Sequence, residues 1–183
     1  MLTLKRTAVS ALVASVALGG TTALAGTAHA APTTQCKTSS KSFALPGKPD
    51  AKVSLNICIK YQGTSGGYRH YKAWLNRASW DGTSWYTGGT RFNGFSVLMY
   101  AQSGSTTKKN CSYGICEQRE ISGAINGSEK GSKTYPTGSG GYGEVYVKTK
   151  KKKWTADATA YVDIADDGKN SKSWNLTGTP SVS

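Results

Sequence analysis

The chain has 183 residues, 37 % of them hydrophobic and 10 % aromatic, with 23 Lys and Arg, 10 Asp and Glu, and 4 Cys. That length supports one domain with a full hydrophobic core and, once a leader is set aside, excludes two comfortable ones. The formal charge of +13 says nothing about fold, but it favours polyanionic partners over cationic ones.

Lys5 and Arg6 precede an apolar run over residues 7–18, and Ala28, His29 and Ala30 form an A-x-A site before Ala31. A positive n-region, a short apolar region and small residues at the cleavage point predict a signal peptide over residues 1–30. Its Ala, Gly and Thr richness resembles bacterial export signals. Residues 31–183 are then one secreted, extracellular domain, since no later stretch approaches a membrane span. Without Lys5 and Arg6, 21 basic side chains stand against 10 acidic ones, a formal +11.

Residues 37–45 read as a polar edge strand stopped by Pro46 and Pro49. Over residues 52–62, Val53, Leu55, Ile57, Ile59 and Tyr61 alternate with polar positions, the period of a half-buried strand. The run Gln62, Gly63, Thr64, Ser65, Gly66, Gly67 tolerates positive φ, so a hairpin to an extended segment over residues 68–80 is expected. In that segment neither face is cleanly apolar. If Tyr71, Ala73 and Leu75 point inward, Trp74 and Trp80 form an outer platform; otherwise they are core. Asp81-Gly82 between Trp80 and Trp85 is a hairpin signal, and a loop with an even residue count puts the two indoles on one face.

Residues 91–102 predict a central strand and residues 103–110 a polar loop. Residues 118–125 predict a short strand ending at Asn126-Gly127, and residues 128–141 a mobile surface loop. Residues 144–148 and 154–164 read as strands, the second with Trp154, Ala156, Ala158, Ala160, Val162 and Ile164 on one side. Asp166-Asp167-Gly168 turns the chain into a last strand around Trp174 and Leu176. This predicts an antiparallel β-sandwich or small β-barrel of seven to eight strands.

Exported cysteines are expected to pair; four allow three connectivities, among which Cys36 with Cys58 and Cys111 with Cys116 is the favoured one. Their spacing is wrong for zinc, and His70 is the only histidine left after cleavage. The acids around Gly168 miss the alternate-position pattern of a calcium loop, so no metal or cofactor is expected. There is no G-x-S-x-G or H-E-x-x-H.

Trp80, Trp85 and Tyr86 are candidate rings for stacking on sugars. Lys150, Lys151, Lys152 and Lys153 are the densest charge, beside Trp154, whose indole would add a stacking surface; alternatively they protect a strand edge and aid solubility. The leading expectation is a secreted, monomeric, non-catalytic binding protein for an extracellular polysaccharide or anionic polymer, with nucleic acid a weaker partner. Two alternatives stand beside it. One is a protease inhibitor presenting Ser112, Tyr113, Gly114 and Ile115 from the loop closed by Cys111 and Cys116. The other is a small hydrolase such as a ribonuclease, with His70 as acid and Glu117, Glu120 or Glu144 as base.

Overall fold

Residues 52–80 fold into the hairpin that their pattern predicts. Strand β2 (Lys48–Ser65) and strand β3 (Tyr68–Gly82) pair antiparallel, with Ser65 opposite Tyr68. The two residues between them, Gly66 and Gly67, have φ of +57° and +76°. Two successive positive φ values define a type I′ turn, whose twist matches the flanking strands. The computed structural model describes residues 33–82, 89–136 and 142–183. The expected leader, residues 1–30, lies outside them, as do Trp85 and Tyr86.

Strand β1 (Thr34–Leu45) pairs with the free edge of β2. Pro46 and Gly47 form the connection, and β2 runs on through Pro49 rather than stopping there. A register shift between Phe43 and Leu45 leaves an irregular ladder beside that proline, where a missing N–H costs least. The far edge of β3 is divided between two strands: β10 (Glu144–Thr149) pairs along Arg69 to Trp74, and β9 (Lys130–Thr134) along Arg77 to Asp81. The expected surface loop over residues 128–141 is therefore partly a sheet strand, and residues 137–141 lie outside the described part.

The second sheet is centred on β4 (Phe92–Ser103) and β11 (Thr155–Ile164), with β12 (Lys172–Asn175) outside β11. The free edge of β4 is again divided, between β5 (Thr106–Lys109) and β8 (Gln118–Glu120). The polar loop expected after Ser103 is thus a tight turn into β5. Between these two lies the small hairpin of β6 (Cys111–Ser112) and β7 (Ile115–Cys116). The two larger sheets remain separate open ladders of antiparallel strands.

One expected strand is part helix. After β8 the chain forms α1 (Ser122–Asn126), which buries Ile125. Ile121 and Ile125 sit four apart on one helical face and both enter the core. Arg91 holds the helix end, donating to the carbonyls of Ile125 and Ser128. The Asn126 side chain in turn accepts the Phe92 N–H at 3.1 Å and donates to the Phe92 carbonyl at 2.9 Å. No helix among the described residues is long and apolar enough to cross a membrane.

Inward residues of both sheets form one hydrophobic cluster. Trp154, Ala156, Ala158, Ala160 and Val162 are buried along β11 as their alternation predicts. At one end Phe43, Phe92 and Phe95 meet edge to face at 5.2–5.7 Å; at the other, Tyr71 lies between Tyr61 and Trp154. Both disulfides form as expected, Cys36 with Cys58 and Cys111 with Cys116, each joining residues directly opposite on paired strands.

Candidate binding face

The question left open by β3 was which of its faces is internal. The structure answers with a bulge. Asn56 pairs with Arg77 and Ile57 with Leu75, so Asn76 is an extra residue with no ladder partner on β2. One inserted residue reverses the alternation: Tyr71, Ala73 and Leu75 are buried before it, and Ala78 and Trp80 after it. Trp80 is 5 % exposed, and its Nε1–H donates to the Ser128 carbonyl at 3.1 Å. Its ring belongs to the core, which corrects its assignment as a stacking surface. Trp85 and Tyr86, its expected companions, fall in the segment 83–88 that is not described. The hairpin expected at Asp81-Gly82 would have its second arm in that same segment, so it too lies outside the described residues.

What the outer face of the first sheet does carry is a set of tyrosines. Val145 and Val147 are buried, so Tyr146 between them points outward and is 55 % exposed. Beneath it Lys72 and Glu144 form a buried ion pair at 3.0 Å, the Tyr146 hydroxyl donates to the same Glu144 oxygen at 3.0 Å, and the Lys72 ammonium lies 4.9 Å from the ring centroid. A tyrosine fixed at both its hydroxyl and its ring face presents a defined surface with little entropy left to lose on binding. Tyr142 is also exposed, at the start of this edge.

Tyr68, at the tip of the β2–β3 hairpin, is 38 % exposed. The ammonium of Lys148 lies 5.0 Å and that of Lys150 5.7 Å from its ring centroid, within the range of cation–π attraction. Arg69 lies similarly over Tyr61 at 5.4 Å. The strand alternation around Tyr146 was a signal available in the sequence; the meeting of Tyr68 with Lys148 and Lys150 was not, since it depends on β10 pairing with β3.

Lysines 150–153 carry the chain from β10 in one sheet to β11 in the other, and all four are exposed. Their backbone is fastened from both sides: the Tyr71 hydroxyl donates to the Lys151 carbonyl at 3.4 Å and the Ser103 hydroxyl to that of Lys152 at 3.1 Å. The Lys151 ammonium donates to Thr106 Oγ1 at 2.5 Å, bringing Lys108 and Lys109 of β5 to the same end. Among the described residues none of these lysines, nor Lys148, pairs with a carboxylate. Trp154 is buried against Tyr71 and supplies no indole beside the lysines, contrary to expectation.

The remaining candidates are placed apart from one another. His70 lies opposite Lys148 and beside Arg69, and its Nε2 is buried without a partner among the described residues. None of the three carboxylates considered as its base is bonded to it: Glu117 accepts from Asn110, Glu120 from the Phe95 and Ser122 N–H groups, and Glu144 from Tyr146. In the Cys111–Cys116 hairpin, Tyr113 and Gly114 have φ of +49° and +81°. Tyr113 is fully exposed at 102 % and Ile115 largely so. The hairpin tip is a tight turn, whereas a protease cleft receives an extended segment.

The lower half of the same outer face, along β9, is a polar groove of about 470 Å³ lined by Lys52, Ser54, Arg77, Ser79, Lys130 and Ser132, among others. Searches against protein-family models, curated proteins and solved structures return no match for this chain.

Proposed function

We propose that the protein is a secreted, non-catalytic binding protein for an extracellular carbohydrate or anionic polymer, held on the outer face of a β-sandwich and on the lysine loop at its end. The observation that carries this reading is the gathering of Lys148 and Lys150 on the exposed ring of Tyr68, with lysines 150–153 beyond and no carboxylate paired to them among the described residues. Unneutralised ammonium groups attract a polyanion over the Debye length. Tyr68, Tyr142 and Tyr146 supply flat rings with polar handles for sugar rings at the same edge. Two disulfides in a chain with an export-like start accord with an oxidising, extracellular location.

The test is retention on insoluble polysaccharides and cell-wall material at two salt concentrations. Retention that falls with salt and with replacement of lysines 150–153 by serine supports charge as the main contribution; retention that survives salt but falls with Tyr146→Ala, Tyr68→Ala or Trp85→Ala supports stacking. No retention on any polymer removes the reading. Nuclease activity lost in His70→Ala would favour the hydrolase instead, and protease inhibition lost on reduction of Cys111–Cys116 the inhibitor.

A further inference from the structure

The register of the first sheet aligns outward residues from four strands into three adjacent rows. Ser40, Ser54, Ser79 and Ser132 stand in one row across β1, β2, β3 and β9. On one side of it lie Ser42, Lys52, Asp81 and Lys130; on the other lie Thr38, Asn56, Arg77 and Thr134. Serine has a short side chain, so the middle row is a low floor, and the longer Lys52, Lys130 and Arg77 beside it are walls. The result is the groove of about 470 Å³, within the size range of roughly 300–1,000 Å³ that small-molecule sites occupy. The strands carrying this row are spaced at about 4.8 Å, and within it the Ser40 and Ser54 hydroxyls bond to each other at 2.7 Å.

The walls are charged unequally. Lys130 lies 3.5 Å from Asp81, which leaves Lys52 and Arg77 without a carboxylate among the described residues. The Arg77 guanidinium is oriented by one hydrogen bond, from Nη2 to Ser132 Oγ at 2.8 Å, and a guanidinium presents the planar fork of N–H donors suited to carboxylate. Asp81 at the same rim accepts only, so the occupant must also bring donors close to its negative charge. A chain of phosphates meets the cations but not Asp81. A sugar bearing both hydroxyls and a carboxylate meets the cations, Asp81 and the serine floor.

We propose that this groove is a subsite for carboxylate-bearing sugar units, with Arg77 and Lys52 receiving the carboxylate and the serine row and Asp81 receiving the hydroxyls. The proposal rests on the polymer-binding reading and narrows its ligand to an acidic glycan. A nucleic acid is the weaker occupant because, among the described residues, the one ring lining the groove is that of the buried Trp80, which offers no face on which a base stacks. A peptide strand would add to a sheet edge rather than lie across a sheet face.

Calorimetry with the full mature chain tests this, using tetragalacturonate, neutral cellotetraose and a short single-stranded oligonucleotide as probes. Tetragalacturonate is expected to bind and cellotetraose to bind at least about tenfold more weakly. Arg77→Ala should cost about tenfold in affinity for the acidic probe, the size expected of one charge-assisted hydrogen bond. Ser79→Val, which fills the floor, should also weaken it, while Arg77→Lys retains part of the binding. Arg77 is exposed, and unchanged thermal unfolding of each variant shows that the fold is intact.

Equal binding of the neutral probe, indifference to Arg77→Ala, or a preference for the oligonucleotide that Arg77→Ala abolishes would each overturn the subsite. Polymer retention that depends on lysines 150–153 but not on Arg77 would leave the general reading standing and remove this one. Groove binding of tetragalacturonate with no retention on any polymer would do the reverse.

Discussion

Gly131 lies directly opposite Trp80, and a Cβ on Gly131 would stand 2.7 Å from the indole Cζ2. The ring of Trp80 covers the backbone of β9, so only glycine lets that strand reach the sheet. Gly131→Ala is therefore expected to destabilise the fold by about 1–3 kcal/mol, the range for overpacking. Gly123→Ala in α1, where nothing lies within 4 Å of the added carbon, should be neutral or slightly stabilising. Denaturant unfolding of the two variants makes the comparison.

The Lys72–Glu144 pair is buried at both ends. Lys72→Met leaves a carboxylate buried beside Tyr146 and should cost about 3–5 kcal/mol, whereas Lys72→Met combined with Glu144→Leu should recover most of that loss. A double-mutant cycle on unfolding free energy measures it. The same variants should loosen Tyr146, read as a change in its ring resonances.

Burial pushes the phenol of Tyr135 up to about 12, with the Arg119 guanidinium over its ring pulling part of the way back. A folded-state value above the ordinary 10 means that the neutral form is the one the fold prefers. Stability should be unaffected by this group below pH 10 and should fall as pH rises from 10 to 12, by about 3 kcal/mol in all. The Tyr135 hydroxyl is buried without a partner among the described residues. Tyr135→Phe should consequently remove this alkaline loss without destabilising the protein at neutral pH. Unfolding curves at a series of alkaline pH values check both statements.

The two disulfides should differ in their consequences. Replacing Cys36 and Cys58 by serine opens a link across 22 residues and should cost about 3 kcal/mol on the chain-entropy model. Replacing Cys111 and Cys116 opens a link across 5 and should cost about 2 kcal/mol or less. Thermal unfolding separates the two, and polymer retention should survive the second replacement.

Much of this fold was legible because strands announce themselves locally. The alternation from Val53 to Tyr61 and the small residues from Ala156 to Ala160 state which face is internal, and the paired glycines at 66 and 67 state where the chain turns, all without reference to the rest of the chain. The part of residues 118–125 that forms α1 was misread because Ile121 and Ile125 fit either period in so short a run. β9 was missed because Lys130 to Thr134 has no apolar alternation at all. It is a strand because β3 offers an open edge, not because its side chains ask for burial.

The candidate site was legible in its charge and in the alternation that turns Tyr146 outward. From the amino-acid order alone follow the β character, the excess of ammonium groups and the position of the lysine run, since each depends on neighbours in the chain. Tertiary structure decided the rest. The unpaired Asn76 turned Trp80 inward, the pairing of β10 with β3 brought Lys148 and Lys150 to Tyr68, and the register of four strands set four serines in a row. Those outcomes depend on residues up to about a hundred positions apart, and a one-residue slip in any ladder exchanges what is buried for what is exposed.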